Sequence, residues 1–213
     1  KRLGECIAGM DEAGRGPVIG PMVLCAVEVE SMDTLLRIGV RDSKRCSPAR
    51  REYLSGLVRK HANVLLRIVS AEEIDTMRKK KTMNQIEVEL FRELLKQIVA
   101  GTVYVDAADV NPERFQQQLS EGFEGKKIIA MHRADELIPV VSAASIVAKV
   151  ERDREIRRIA EEIGDFGSGY PSDPRTIAFL KEWYRTHGRM PPHTRTTWKT
   201  VKRIMQPALE DFR

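Results

Sequence analysis

Four acidic side chains stand where the sequence pattern predicts that strands end. Asp11 and Glu12 close a short apolar run, and Asp106 comes directly after a second one. Asp135 follows the next predicted strand along the chain. Active groups of an open α/β sheet gather outside the carboxyl ends of its parallel strands. We therefore expect the carboxylates to converge if the first and fourth strands are neighbours.

Clustered carboxylates without thiol or imidazole partners suit hard divalent ions such as Mg²⁺ or Mn²⁺, because these ions prefer oxygen ligands. Two such ions can activate a water and neutralise the leaving oxygen in phosphodiester hydrolysis. A single aspartate at a strand end is more often a cap or part of a solvated turn, and we interpret Asp109 in this way. Spacing and composition predict a metal-dependent enzyme that acts on a phosphate-containing polymer, and go no further.

A glycine loop follows the first two acids. Gly14 and Gly16 flank Arg15, and Pro17 stiffens the exit, so backbone N–H groups can approach a ligand closely. The loop does not match a dinucleotide-binding fingerprint, because its third glycine, Gly20, comes one residue late and a strand pattern follows. It lacks the Gly-Lys-Ser/Thr ending of a P-loop.

Alternating strand and helix patterns predict an α/β fold that would position these residues. The predicted strands cover 5–11, 18–30, 63–69, 102–105 and 126–130. The predicted helices begin after Ser47, Ser70, Thr82 and Asn111 and also cover 139–163, 174–187 and 194–211. The second strand is expected to pair antiparallel with the first. The strand–helix–strand pattern around Asn111 implies that the last two strands are parallel.

The chain of 213 residues is long enough for one α/β domain with a small appended lobe. The turn-rich segment 164–174 marks the predicted boundary between the two parts. We therefore expect a catalytic domain over 1–165 and a helical, substrate-binding C-terminal lobe over 166–213. No apolar run approaches the roughly 18 residues of a membrane span, and no secretory signal is evident, so we expect a cytoplasmic protein. The three cysteines have no metal-binding or disulfide spacing.

The positive charge is concentrated near one end of the chain. The net charge is +5, and one segment holds a single acid, Glu182, among eight basic residues. These are Arg175, Lys181, Arg185, Arg189, Arg195, Lys199, Lys202 and Arg203. Such a segment is typical of a surface that binds phosphates, although a solvated helix face explains it equally well. The basic run 78–81 leaves the same two interpretations open.

Several motifs together resemble one family. They are Asp-Glu-Ala-Gly-Arg-Gly-Pro at 11–17, Arg-Asp-Ser-Lys at 41–44, Val-Tyr-Val-Asp-Ala-Ala-Asp-Val at 103–110, Ala-Asp-Glu at 134–136, Val-Ser-Ala-Ala-Ser-Ile at 141–146 and Gly-Ser-Gly-Tyr-Pro-Ser-Asp-Pro at 167–174. In this order they resemble type 2 ribonuclease H, or ribonuclease HII, most closely its archaeal single-chain branch. The resemblance covers roughly residues 7–199.

The resemblance implies an RNase H-like fold, with a five-stranded mixed sheet flanked by helices and a small helical C-terminal lobe. It implies an endonuclease that cuts the RNA strand of RNA–DNA hybrids and single ribonucleotides embedded in duplex DNA, leaving 3′-hydroxyl and 5′-phosphate ends. The family's four metal-binding acids match Asp11, Glu12, Asp106 and Asp135, with Mg²⁺ or Mn²⁺ as the cofactor. We expect a monomer.

The resemblance also implies a set of substrate-binding residues. They are Gly14, Arg15, Gly16, Tyr170, Ser43 and Lys44. In the family, the backbone of the glycine loop reads the ribose 2′-hydroxyl that separates RNA from DNA, and the tyrosine stacks on the next sugar. Ser43 and Lys44 are expected near substrate phosphates. His132 and His193 are interpreted as surface residues or backbone contacts.

The end of the sequence carries a second kind of motif. Gln206, Leu209 and Phe212 have the Q-x-x-L-x-x-F spacing with which many replication enzymes bind a DNA sliding clamp. The end of an ordinary amphipathic helix explains this loose pattern about as well.

Two other functions compete with a ribonucleotide-specific endonuclease. The chain is alternatively a non-catalytic module that binds RNA–DNA hybrids, which the presence of all four acids argues against. A nuclease of the same fold that ignores the 2′-hydroxyl is the other alternative, and equal cutting of all-DNA duplex would reveal it.

Overall fold

A computed structural model describes residues 6–40 and 46–206. In these ranges five strands form one sheet in the order β3-β2-β1-β4-β5. The strands are β1 (Ile7–Ala13), β2 (Met22–Val29), β3 (Asn63–Val69), β4 (Thr102–Asp106) and β5 (Lys127–Met131). β1 pairs antiparallel with β2 and parallel with β4, and β4 pairs parallel with β5. The predicted mixed sheet is confirmed, and so is the contact between the first and fourth strands.

Helices alternate with the strands and follow them along the chain. The described helices are α1 (Met32–Arg37), α2 (Pro48–His61), α3 (Ala71–Arg78), α4 (Met83–Leu95), α5 (Pro112–Ser120), α6 (Ala134–Leu137), α7 (Pro139–Ile163), α8 (Pro174–His187) and α9 (Lys199–Met205). The predicted caps are confirmed where Ser47 accepts from the N–H of Arg50, and where Thr82 and Gln85 form a capping box. Local side-chain chemistry therefore fixes where these helices begin.

β1 runs two residues further than the sequence pattern predicts. Asp11 pairs with Cys25 of β2, and Glu12 pairs with Leu24. The strand continues because its antiparallel partner supplies a ladder of hydrogen bonds that a polar side chain does not interrupt. Both acids therefore lie within the last part of the strand rather than after it.

Three other elements differ from their predicted bounds. β2 begins at Met22 rather than at residue 18, because Ile19 forms only an isolated bridge with Thr194. α9 begins at Lys199, because residues 194–198 make loop contacts instead of helical ones. α6 is a single helical turn where a loop is predicted, and it starts after Arg133, which has a left-handed backbone (φ 59°).

The long helix α7 packs small side chains against the sheet. A Cβ atom added to Gly9 of β1 would lie 2.4 Å from the backbone carbonyl carbon of Val140. Only glycine permits this close approach of helix and strand. The predicted small-residue face of the helix is fully buried, and it consists of Val141, Ala144, Val147 and Ala148.

The chain forms two compact units. The first is drawn from Lys1–Ala13, Val23–Ile68 and Thr82–Glu151, and the second from Gly14–Met22, Val69–Lys81 and Arg152–Arg213. The first has its core between the sheet and α7. The second has a separate core that includes Val18, Ile159, Phe166 and Leu180. The second unit thus contains the glycine loop and α3 as well as the C-terminal helices.

None of the helices in the described residues combines the length and apolar character needed to cross a membrane.

Candidate active site

Three aspartates of the first unit meet at one edge of the sheet. Met10 of β1 stands beside Val105 of β4 in the parallel register, so the next residue of each strand, Asp11 or Asp106, reaches the same edge. The backbone N–H of Asp135, in α6, donates a hydrogen bond of 3.0 Å to Oδ2 of Asp106. The turn of α6 thus brings Asp135 next to Asp106.

Asp11 is the electrostatic centre of this group. Its side chain is buried, with 7% of the residue exposed. Burial, followed by the negative charge of Asp106 and to a smaller extent that of Asp135, raises the pKa of Asp11 to about 7. The N–H of Glu12, 2.8 Å from Oδ1, acts in the opposite direction. The charged form of Asp11 is therefore disfavoured at this edge.

Ser145 of α7 lies beside Asp11 and favours its charged form. Its hydroxyl lowers the pKa of Asp11. Among the described residues, however, no partner lies at a good hydrogen-bonding distance and angle from Ser145 Oγ. A buried serine in the Val-Ser-Ala-Ala-Ser-Ile segment thus tunes a carboxylate from another element. Ser145 was not predicted as a site residue, because its helical position also fits simple packing.

The carboxylates fit a hard divalent ion in their chemistry. Each offers oxygen ligands, and a bound cation would relieve the repulsion between their negative charges. Among the residues that the structure describes, no three His, Cys, Asp or Glu side chains are grouped closely enough to hold a metal ion. The fit therefore rests on the type of ligand that these side chains offer.

Asp109 is a structural residue, but it is not the cap or solvated turn that the sequence analysis expects. The residue is 2% exposed, and its carboxylate accepts hydrogen bonds from two guanidinium nitrogens of Arg114, from Asn84 and from the N–H of Asn111. These bonds, Arg114 first, hold the pKa of Asp109 below its usual value. Asn111, not Asp109, caps α5.

The glycine loop belongs to the second unit and has a specialised backbone. Gly14 has φ 84°, and a Cβ atom there would lie 2.6 Å from Arg152 Cδ and 2.7 Å from the carbonyl oxygen of Pro21. Gly16 is exposed, and a Cβ atom there would lie 3.7 Å from the ring of Tyr170. The structure thus brings the predicted loop and the predicted tyrosine together.

Tyr170 has one side of its ring supported by protein. The guanidinium carbon of Arg152 lies 5.1 Å from the ring centroid, and 37% of the tyrosine remains exposed. Burial lowers the pKa of Arg152. This buried arginine was not predicted from the sequence, because it lies in a charge-rich helix where surface positions are the usual expectation.

Comparison with known proteins identifies the family. The family model described as ribonuclease HII matches residues 8–201. The chain belongs to the ribonuclease HII family. The ribonuclease HII of Archaeoglobus fulgidus is 47% identical over 205 residues, which cover 96% of this chain and 99% of that relative. The resemblance to the archaeal-type family is thereby confirmed.

Solved structures confirm the fold of this ribonuclease HII family member. The PCNA:RNase HII complex from Archaeoglobus fulgidus contains a chain that aligns with a TM-score of 0.88 at 47% identity, covering 97% of this chain and 100% of that one. Bst-RNase HIII in complex with Mn²⁺ aligns with a TM-score of 0.81, covering 98% and 72%. Its 17% identity supports the RNase H-like fold alone.

Family membership also decides the class of protein. The chain is a ribonuclease, and ribonuclease activity on RNA–DNA hybrids follows from the family. This result disfavours the alternative of a non-catalytic hybrid-binding module.

The basic segment of this ribonuclease HII family member is less uniform than its sequence indicates. Arg195 is completely buried, so its assignment to a phosphate-binding surface is wrong. Two exposed arginines, Arg175 and Arg185, form ion pairs with Asp165 and Glu182. The remaining five basic residues of the segment are exposed. A count of charges cannot distinguish these cases, because burial depends on tertiary contacts.

The other predicted residues have different outcomes. Ser43, Lys44, Leu209 and Phe212 lie outside the described residues. Gln206 directly follows α9 and is its C-cap residue. The two histidines contact the protein as expected: His132 Nε2 lies 3.3 Å from the carbonyl oxygen of Val110, and His193 Nε2 lies 2.9 Å from Glu162.

Proposed function

We propose that this ribonuclease HII family member is an endonuclease that hydrolyses the RNA strand of RNA–DNA hybrids and cuts at single ribonucleotides embedded in duplex DNA. Its products would carry 3′-hydroxyl and 5′-phosphate ends. The observation that carries the proposal is the meeting of Asp11, Asp106 and Asp135 at one edge of the sheet. Clustered carboxylates on this fold suit metal-assisted hydrolysis of a phosphodiester.

Four carboxylates are the proposed ligands of Mg²⁺ or Mn²⁺. They are Asp11, Glu12, Asp106 and Asp135. When bound, a pair of such ions supplies an activated water and neutralises the leaving oxygen. The chain's own contribution is orientation, because the N–H of Asp135 fixes one oxygen of Asp106 and the N–H of Glu12 fixes one oxygen of Asp11.

The glycine loop and Tyr170 are the proposed readers of the ribose. Gly14, Arg15 and Gly16 offer backbone groups to the 2′-hydroxyl, and the half-exposed ring of Tyr170 offers a face to the neighbouring sugar. Arg152 holds the other side of that ring. The chain passes from the last residue of β1, Ala13, directly into this loop.

Exposed basic residues are the proposed contacts for substrate phosphates. The C-terminal lobe, 166–213, offers exposed cations such as Lys181, Lys199 and Lys202. Ser43 and Lys44 are assigned the same role from the family motif. Such contacts bind the backbone of a nucleic acid without reading its sequence. Binding through them should weaken steeply as salt concentration rises.

The decisive experiment is cleavage of a duplex that carries one embedded ribonucleotide, in Mg²⁺ or Mn²⁺. Asp106→Asn should lower the rate by about 100-fold or more, because a neutral amide is a poor ligand for a hard cation. Asp33→Asn is the matched control, since Asp33 is an exposed residue in α1, and it should cleave at the wild-type rate. Undiminished cleavage by Asp106→Asn would refute the proposed site.

A sliding clamp is the proposed protein partner. The relative from Archaeoglobus fulgidus was solved as a PCNA:RNase HII complex, and Gln206, Leu209 and Phe212 have the matching motif spacing. Deleting residues 206–213 should abolish clamp binding and leave basal cleavage intact. Unchanged clamp affinity after the deletion would contradict this assignment. The monomeric state and the cytoplasmic location stay predictions.

A further inference from the structure

Arg195 is a fully buried arginine whose three guanidinium nitrogens all donate hydrogen bonds to the glycine loop region. Its Nη2, Nη1 and Nε atoms donate to the carbonyl oxygens of Gly14 (2.5 Å), Arg15 (2.8 Å) and Gly20 (3.0 Å). Burial, followed by the charge of Arg152, lowers the pKa of Arg195 to about 9. The carbonyl dipoles offset part of the cost of burying this charge. A planar guanidinium suits this geometry because it offers several donors in fixed directions.

Trp198 completes the set of contacts to the loop. Its indole N–H donates to the carbonyl oxygen of Gly16 at 3.2 Å, and its ring lies 5.0 Å from the guanidinium carbon of Arg195. Three consecutive carbonyl groups, from Gly14 to Gly16, are therefore held by two side chains that also contact each other.

The backbone on both sides of Arg195 holds the following part of the loop. The N–H of Arg195 donates to the carbonyl oxygen of Val18 (2.7 Å), and the N–H of Gly20 donates to that of His193 (2.8 Å). The segment 193–198 thus contacts residues 14–20 through both main chain and side chains. We call residues 193–198 the clasp segment.

Helix α3 fixes the clasp segment. Both carboxylate oxygens of Asp75 accept hydrogen bonds of 2.6–3.1 Å from the N–H groups and hydroxyls of Thr196 and Thr197. Glu72, one helical turn earlier on the same face, accepts from the N–H of His193 at 2.9 Å. Arg195 is therefore supported on both sides, and Trp198 directly follows the second supported pair.

Peptide geometry gives these contacts a consequence for the loop. In a trans peptide, the carbonyl of one residue and the N–H of the next point in opposite directions. Because Arg195 binds the carbonyls of Gly14 and Arg15, the N–H groups of Arg15 and Gly16 point away from the guanidinium. The third carbonyl precedes Pro17, which has no N–H. Rotation of either peptide would turn its N–H towards Arg195 and break a buried hydrogen bond.

We infer that Arg195 is a positioning residue that, together with Trp198, locks the peptides of the glycine loop in the orientation that presents the N–H groups of Arg15 and Gly16 to a ribose 2′-hydroxyl. This inference rests on the proposed function. Arg195 acts through the loop, so it affects how well the ribose is read without itself touching substrate.

Two substitutions test the inference. Trp198→Phe removes only the indole N–H and keeps an aromatic ring, and Arg195→Lys keeps the charge but has a single nitrogen for three carbonyls. Arg158→Lys is the matched control because Arg158 of α7 is exposed, paired with Glu155 and outside the basic segment. Each variant is assayed for kcat/KM on the duplex with one embedded ribonucleotide, for affinity to an all-DNA duplex, and for amide hydrogen exchange.

The expected results separate positioning from simple stability. Trp198→Phe should lower kcat/KM about 3- to 10-fold, the range of one lost hydrogen bond, and Arg195→Lys should lower it by at least about 10-fold. The amides of Arg15 and Gly16 should exchange faster in both variants. Affinity for all-DNA duplex and the activity of Arg158→Lys should not change.

Other results would overturn the inference. If Trp198→Phe folds like the wild type and keeps both its kcat/KM and its loop exchange rates, the indole does not hold the loop. If kcat/KM falls only in proportion to the unfolded fraction, the role is purely structural. If Arg195→Lys does not fold, Trp198→Phe decides alone. Failure of the wild type to cleave would count against the proposed function, whereas faster loop exchange in the variants tests the lock independently.

Discussion

The buried carboxylate of Asp11 should cost the metal-free protein stability. Asp11→Asn replaces it with a neutral side chain of nearly the same shape, and the amide oxygen can still accept the hydrogen bond from the N–H of Glu12. The substitution therefore removes the charge while retaining most contacts. We expect the variant to be more stable than the wild type at pH 8 in the presence of a chelator.

The pKa of Asp11 sets the size and the pH dependence of this effect. A rise from 3.8 to about 7 corresponds to at most about 4 kcal/mol, since each pKa unit equals about 1.4 kcal/mol. We expect about 2 kcal/mol, because the buried amide of asparagine is itself costly to desolvate and cancels part of the gain. The folded protein binds the proton more tightly than the unfolded chain, so wild-type stability falls as pH rises from 3.8 to 7. The advantage of the variant should therefore be small near pH 4 and constant above pH 7.

Urea unfolding of both proteins between pH 4 and pH 8, with chelator present, measures this difference. Asp109→Asn is a control that should change stability in the opposite direction, because the pKa of Asp109 is lowered by its hydrogen bonds to Arg114 and neighbouring groups. That variant should be less stable than the wild type at pH 8. A gain for Asp11→Asn that does not vary with pH, or no gain at pH 8, would refute the electrostatic reasoning.

Three further substitutions test other parts of the structure. Gly9→Ala should destabilise the fold by about 1–3 kcal/mol in urea unfolding, because its Cβ would lie 2.4 Å from the backbone of Val140. Glu28→Ala should cost about 2–4 kcal/mol in the same assay, because two backbone N–H groups and Asn63 lose their acceptor. Gly14→Ala should lower kcat/KM for the ribonucleotide-containing duplex by about 10-fold or more, because φ is 84° and the Cβ would clash.

Local signals in the sequence predicted much of the fold and the acidic edge. Caps such as Thr82 act within one helical turn, and the parallel pairing of β4 and β5 follows from the short helical crossover between them. The meeting of Asp11 with Asp106 required only that two strands be neighbours. The extent of β1 was not predictable, because its partner strand decides it.

The support of the glycine loop was not predictable from the sequence. Arg195 lies about 180 positions from Gly14 and Arg15 in the chain, and it stands in a segment where basic residues are common. Its spacing carries no sign of burial. The burial of Asp109 was missed for a related reason, since its partner Asn84 lies 25 positions away in the chain. Such contacts depend on the tertiary fold, which local patterns do not encode.

The most direct test of the account compares two duplexes that differ by a single 2′-hydroxyl. The intact chain, with Mg²⁺ or Mn²⁺, should cut the duplex with one embedded ribonucleotide at that position and leave 3′-hydroxyl and 5′-phosphate ends. The all-DNA duplex of the same sequence should remain uncut under the same conditions. Equal cutting of the two duplexes, or no cutting of either, would contradict the proposal that this chain reads one hydroxyl and hydrolyses the strand that carries it.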